Sequence, residues 1–163
     1  MSDVRLQRNL KTPPVPAFSA LLEILSGIES QTGPWQNFSL HVSLGDVHLP
    51  DVGYLNVPIA LKAGAPARET REVPIEFDAA KHAGSFPHFK GAAGVDAMGP
   101  TGSILWISGG YDVPLQLFGR LLDATLTAGV AERTLENLID DLAEAVVANV
   151  DQREAEYVRY RRF

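Results

Sequence analysis

From Ala17 to about Ser30 the apolar residues Phe18, Leu21, Leu22, Leu25 and Ile28 recur at three- and four-residue steps, the spacing of one helix face. Gly27 or the Gln31-Thr32-Gly33-Pro34 run ends it. The step then falls to two. Phe38, Leu40, Val42 and Leu44 alternate with polar neighbours, and after a turn near Gly45-Asp46 Leu55, Val57, Ile59 and Leu61 alternate with Asn56, Pro58, Ala60 and Lys62. Past the Lys62–Arg68 turn, Val73, Ile75 and Phe77 face inward against Glu72, Glu76 and Asp78. A weaker strand, about Phe86 to Ala97, is bent at Gly91 and Gly94. A last strand, Ser103 to Tyr111, follows the Gly99–Gly102 turn. Ahead of all these, Asp3–Leu10 predicts a short edge strand, closed by the breaker Lys11–Pro16. Pro58 and Pro74 mark strands that leave some N–H positions unpaired.

From Tyr111 to about Tyr157 the period returns to that of a helix, or two in series, with Asp112 as N-cap and Pro114 in the first turn. Leu117, Leu121, Ala124, Ala128, Ala131, Leu135, Leu138, Leu142 and Val146 form its main stripe. A second row, Leu115, Phe118, Leu122 and Leu126, gives the first half two apolar sides. That predicts a homodimer contact or an intramolecular clamp there, with Gly119 permitting close approach and a bend near Thr127–Val130. The order predicts an α+β domain spanning residues 1–163, in which about six antiparallel strands curve around a long C-terminal helix beside one shorter N-terminal helix.

Composition removes function classes rather than adding one. The 163 residues contain no cysteine, which excludes structural disulfides and a thiol nucleophile. Twenty acids against 14 bases give a net charge of −6, a poor basis for binding nucleic acid. With no signal-like apolar run near the N-terminus and no bilayer-length apolar segment, a cytoplasmic location is expected. Arg153, Arg159, Arg161 and Arg162 around Tyr157, Tyr160 and Phe163 form either a small anion or partner patch or, more often, a solvated helix end whose cations complement the dipole.

Several stretches carry a resemblance. Phe86-Pro87, Leu105–Pro114 (Leu-Trp-Ile-Ser-Gly-Gly-Tyr-Asp-Val-Pro), Phe118–Asp123 and Val130–Thr134 resemble actinobacterial-type members of the START/polyketide-cyclase-like (SRPBCC) superfamily. This chain has Val113-Pro114 where many of those proteins have two prolines. The resemblance covers somewhat under half the chain. It implies a helix-grip fold with a cavity for a hydrophobic or amphipathic small molecule, lipid-like or polycyclic, between sheet and terminal helix. It implies no catalytic residue and no cofactor.

On that reading the wall residues are Leu40, Val57, Phe77, Phe86, Tyr111, Phe118, Leu121 and Leu122, with Tyr111 as polar handle because a buried phenol needs a partner. An enzyme on the same scaffold, a cyclase, aromatase or hydrolase, would draw proton transfer from Tyr111, Asp123 or His88. A filled core with a protein-interaction role is the third reading. No metal is expected, because His41, His48, His82 and His88 do not form ligand-spaced pairs. Ser108-Gly109-Gly110 lacks the Gly-x-Ser-x-Gly of a nucleophile elbow, and Gly91–Gly94 leads into no phosphate loop.

Overall fold

The computed structural model describes residues 2–43, 54–80, 88–112, 116–117, 120–121 and 124–161. Strand β1 (Ser2–Leu10) leads into helix α1 (Pro14–Ser30), a 3-10 turn (Gly33–Trp35), and strands β2 (Ser39–Ser43), β3 (Tyr54–Ala63), β4 (Glu72–Ala79), β5 (His88–Met98) and β6 (Gly102–Asp112). A two-residue pair, β7 (Gln116–Leu117) with β8 (Arg120–Leu121), precedes helix α2 (Ala124–Arg161). The six long strands form one antiparallel sheet in the order β1-β6-β5-β4-β3-β2, so β1 is indeed an edge strand. The architecture is α+β, as the alternation of periods predicts.

Period two places one face of every strand inward. Val73, Ile75, Phe77 and Ala79 of β4 are buried, as are Phe89, Ala93 and Val95 of β5 and Leu105, Ile107 and Tyr111 of β6. Against this face lie two helices. Helix α1 starts on the prolines rather than after them: Pro14 occupies the first turn, where its missing N–H costs nothing, and Pro13 O accepts the first helical bond from Ala17 N. Its buried stripe runs from Ala17 through Leu21, Ile24 and Leu25 to Ile28. The left-handed Gln31 (φ 52°) ends the helix, with backbone bonds back to Gly27 and Ile28. The stripe of α2 runs Ala131, Leu135, Leu138, Ile139, Leu142, Val146, Val150, and joins the same core.

One expected element is different. The helix does not begin at Asp112. Strand β6 carries through Asp112, and Gln116–Leu117 pairs with Arg120–Leu121 as extended chain. Leucines and alanines fit a helical period, yet the two short segments pair antiparallel as extended chain. Leu117 and Leu121 are therefore not members of the α2 stripe. Of the row expected to make a dimer contact or clamp, Leu115, Phe118 and Leu122 lie outside the described residues, and Leu126 falls in α2. From Ala124 the helix runs uninterrupted to Arg161, through the Thr127–Val130 segment.

Both edges of the sheet are fastened to one turn of α2. Arg8 of β1 donates from Nε to Asp140 Oδ1 at 2.6 Å, and His41 of β2 places Nδ1 2.8 Å from Asp141 Oδ2. Asn137 Nδ2 donates to the His41 carbonyl at 2.8 Å, satisfying part of the open edge of β2. These pairs are half exposed and hence worth little singly. Asp140→Asn and Asp141→Asn are each expected to cost no more than about 1 kcal/mol in denaturant unfolding. Leu142→Ala, one residue further and 2% exposed, should cost about 2–5 kcal/mol.

Candidate functional site

The inward face of the sheet carries a row of large side chains at one level. Cross-strand register sets Leu61 of β3 opposite Phe77 of β4, Phe77 opposite Phe89 of β5, and Phe89 opposite Tyr111 of β6. Period two keeps all four on the buried side. The Phe77 and Phe89 rings stack with centroids 5.0 Å apart and planes 17° from parallel. Tyr111, 1% exposed, donates its hydroxyl to Glu132 Oε1 of α2 at 3.4 Å. Its ring belongs to the core while its oxygen meets a carboxylate near the start of the helix.

Immediately beside this row two adjacent strands, β5 and β6, carry no side chain, while Ile75 of β4 flanks them. Gly91 of β5 lies opposite Gly109 of β6, on the parity of Phe89 and Tyr111. A Cβ on Gly91 would stand 2.6 Å from the Gly109 Cα, and one on Gly109 2.5 Å from the Lys90 oxygen and 2.9 Å from the Phe89 ring. The strands approach here more closely than any side chain allows. The bend expected from Gly91 thus has a physical basis in this pair. Gly94 plays a different part: a Cβ there would meet the Trp106 ring on the outer face. That indole is covered by the Arg5 guanidinium, 5.2 Å from the ring centroid, and donates to Asp96 at 3.2 Å.

The sequence-derived wall residues divide into two groups. Leu40, Val57, Phe77 and Tyr111 are buried in the core between sheet and helices. Phe86, Phe118 and Leu122 lie outside the described residues, as does Asp123, and Leu121 is placed in β8. His88 stands on the opposite face of β5 from Phe89. There its ring nitrogens meet Asp78 Oδ1 at 2.7 Å and Glu76 Oε1 at 3.1 Å, on the outward parity of β4. Among the described residues no group of three or more His, Asp or Glu side chains could hold a metal ion. No helix among them is long and apolar enough to cross a membrane.

Glu132 is the site residue that sequence reasoning missed. It belongs to the polar back of the α2 pattern, and a helical wheel alone gives no cause to aim it at the sheet. The usable signal was the demand of Tyr111 for a partner.

No protein-family model matches the chain, and no curated protein sequence does. Solved structures do. The structure of TTHA0849 from Thermus thermophilus superposes with a TM-score of 0.53 at 18% identity, covering 91% of this chain and 99% of that one. The ZhuI aromatase/cyclase from Streptomyces sp. R1128 gives 0.51 at 14% identity, over 93% and 94%. Ara h 8.0201 gives 0.55 at 10% identity, over 93% and 98%. This chain has the helix-grip fold. At such identities the likeness is one of fold, and the chemistry of the grip is a matter for its own residues. Those residues are the aromatic row, the side-chain-free glycine pair and the Tyr111–Glu132 hydrogen bond.

Proposed function

We propose that this protein binds a hydrophobic or amphipathic small molecule, lipid-like or polycyclic, between the inward face of the sheet and α2. The wall combines the described Leu40, Val57, Phe77 and Tyr111 with Phe86, Phe118, Leu121 and Leu122. The observation that carries the reading is the end of the grip at Tyr111. Flat aromatic surface from Phe77 and Phe89 adjoins a phenol–carboxylate pair, next to a glycine pair that adds no bulk. Binding pockets of this type are mostly apolar with few polar groups, and those few set orientation. Tyr111 and Glu132 would take a ligand hydroxyl or carbonyl, the ring a flat or branched apolar body.

The test starts from the purified protein. Denaturing mass spectrometry should release a co-purifying small molecule, and its titration into ligand-free protein should be weakened about fivefold by Tyr111→Phe, the loss of one hydrogen bond of about 1 kcal/mol. An apo protein that takes up no apolar probe would end this reading.

The Tyr111–Glu132 contact also favours a second reading, an enzyme on the same scaffold, since a phenol beside a carboxylate can pass a proton. One of the similar structures is an aromatase/cyclase. In that case Tyr111→Phe abolishes turnover while ligand is still bound; a carrier loses affinity and has no turnover to lose.

A further inference from the structure

Two features lie outside the grip and have no part in the reading above. The first is the end of α2. The buried stripe stops at Val150, and from Asp151 to Arg161 every residue is exposed, so the last 11 residues, about 16 Å of helix, project from the body. Among the described residues Arg153 reaches back, to Glu23 and Ser19 of α1. Tyr157, Val158 and Tyr160 on this arm are 60, 53 and 80% exposed, spread over about 160° of the helix surface.

The second is a groove of ≈ 660 Å³ on the body, between α1, the Gly33–Trp35 turn and α2. Its apolar lining comes from Trp35, Pro34, Ala145 and Ala148. The Trp35 ring sits where Gly27 leaves room, because a Cβ there would overlap it. Its polar lining offers acceptors on Glu23, Ser26, Thr32 and Gln152, with Glu23 already paired to Arg153 and the Asn149 Oδ1 buried; no lysine, arginine or histidine lines it. The tip of the arm, Tyr157–Arg161, is the reverse. It has two arginines, two phenols and no acid.

Groove and arm also share one helix face. At 100° per residue Ala145, Ala148, Asn149, Gln152, Glu156, Arg159 and Tyr160 fall within a stripe about 120° wide, Glu156 accepting from Gln152 at its centre. Two copies of α2 laid antiparallel on this stripe about a twofold axis set Ala148 opposite the partner's Tyr160, and Asn149 opposite the partner's Arg159. Each copy then supplies one arm and one groove, so the short contact is made twice, as an isologous interface requires.

We propose that the projecting end of α2 docks in the α1–α2 groove of a second copy of this chain, the two copies exchanging arms. Donors at the tip meet acceptors in the groove, and the Tyr160 ring covers the apolar lining beside Trp35.

Sedimentation velocity or native mass spectrometry of the full chain tests this, with circular dichroism confirming that the variants fold. Both variant positions are exposed, so neither disturbs the core. Wild-type protein should sediment at twice 17.7 kDa at micromolar to high micromolar concentration. Tyr160→Glu, which spoils the arm, and Ala148→Trp, which fills the groove, should each be monomeric. An equal mixture of the two should recover dimer, because one arm and one groove in the mixed pair remain intact. A wild-type chain that stays monomeric throughout overturns the proposal. So does a dimer that survives both single substitutions, or a mixture that stays monomeric.

Discussion

Gly109→Ala should destabilise the protein by about 2–3 kcal/mol or more in urea unfolding, although it adds a single methyl group. The added carbon would lie 2.5 Å from the Lys90 oxygen and 2.6 Å from the Gly91 Cα. Both are backbone atoms of a paired strand, which cannot swing aside as a side chain can. Overpacking of a rigid site costs about 1–3 kcal/mol, and a clash with backbone belongs at the top of that range. The same substitution at Gly129 provides the contrast. That glycine is exposed within α2, and its added Cβ meets nothing within 4 Å. Alanine there should raise stability by about 0.5–1 kcal/mol through helix propensity and a less disordered unfolded chain. If both substitutions proved neutral, the close approach of β5 and β6 would not be what shapes the grip.

Phe89→Ala is the second large effect, an expected loss of about 3–5 kcal/mol. The ring is fully buried, stacks on Phe77 and neighbours Tyr111 across the strand pair. Removing it leaves a void between two rigid strands with little freedom to collapse. The stack can be isolated by a double-mutant cycle with Phe77→Leu. An aromatic pair of this geometry should show a coupling of about 0.5–1.5 kcal/mol beyond its area burial. Additive losses would mean that the two rings merely share a core.

The strands were legible because one buried face imposes strict alternation, and a slip of one residue would turn every apolar side chain outward. Leu40, Val57, Phe77 and Tyr111 could be placed inside from parity alone. The Tyr111–Ala124 stretch was not legible. Leucine, phenylalanine and alanine at three- and four-residue steps are as compatible with a helix as with short extended pieces, and tertiary pairing decided between them. The tie between Arg8 and Asp140 was half visible. Arg8 shares its parity with Val4, Leu6 and Leu10, and an inward-facing charge on an edge strand calls for an acid. Which acid could not be read, because α2 offers carboxylates on several turns. His41 has the outward parity, and its contact with Asp141 exists only because α2 lies alongside β2.

The neighbouring carboxylates Asp140 and Asp141 have a topological consequence. β1 and β2 are the first and last strands in the sheet order, and each is fastened to the same turn of α2. The sheet and helix therefore close into a ring whose last segment is helical instead of a seventh strand. Such a ring shields both strand edges at once, and releasing the helix would bare both at once. Exposed edges recruit other chains. Partial undocking of α2 should therefore lead to strand-mediated self-association rather than to a loosened monomer.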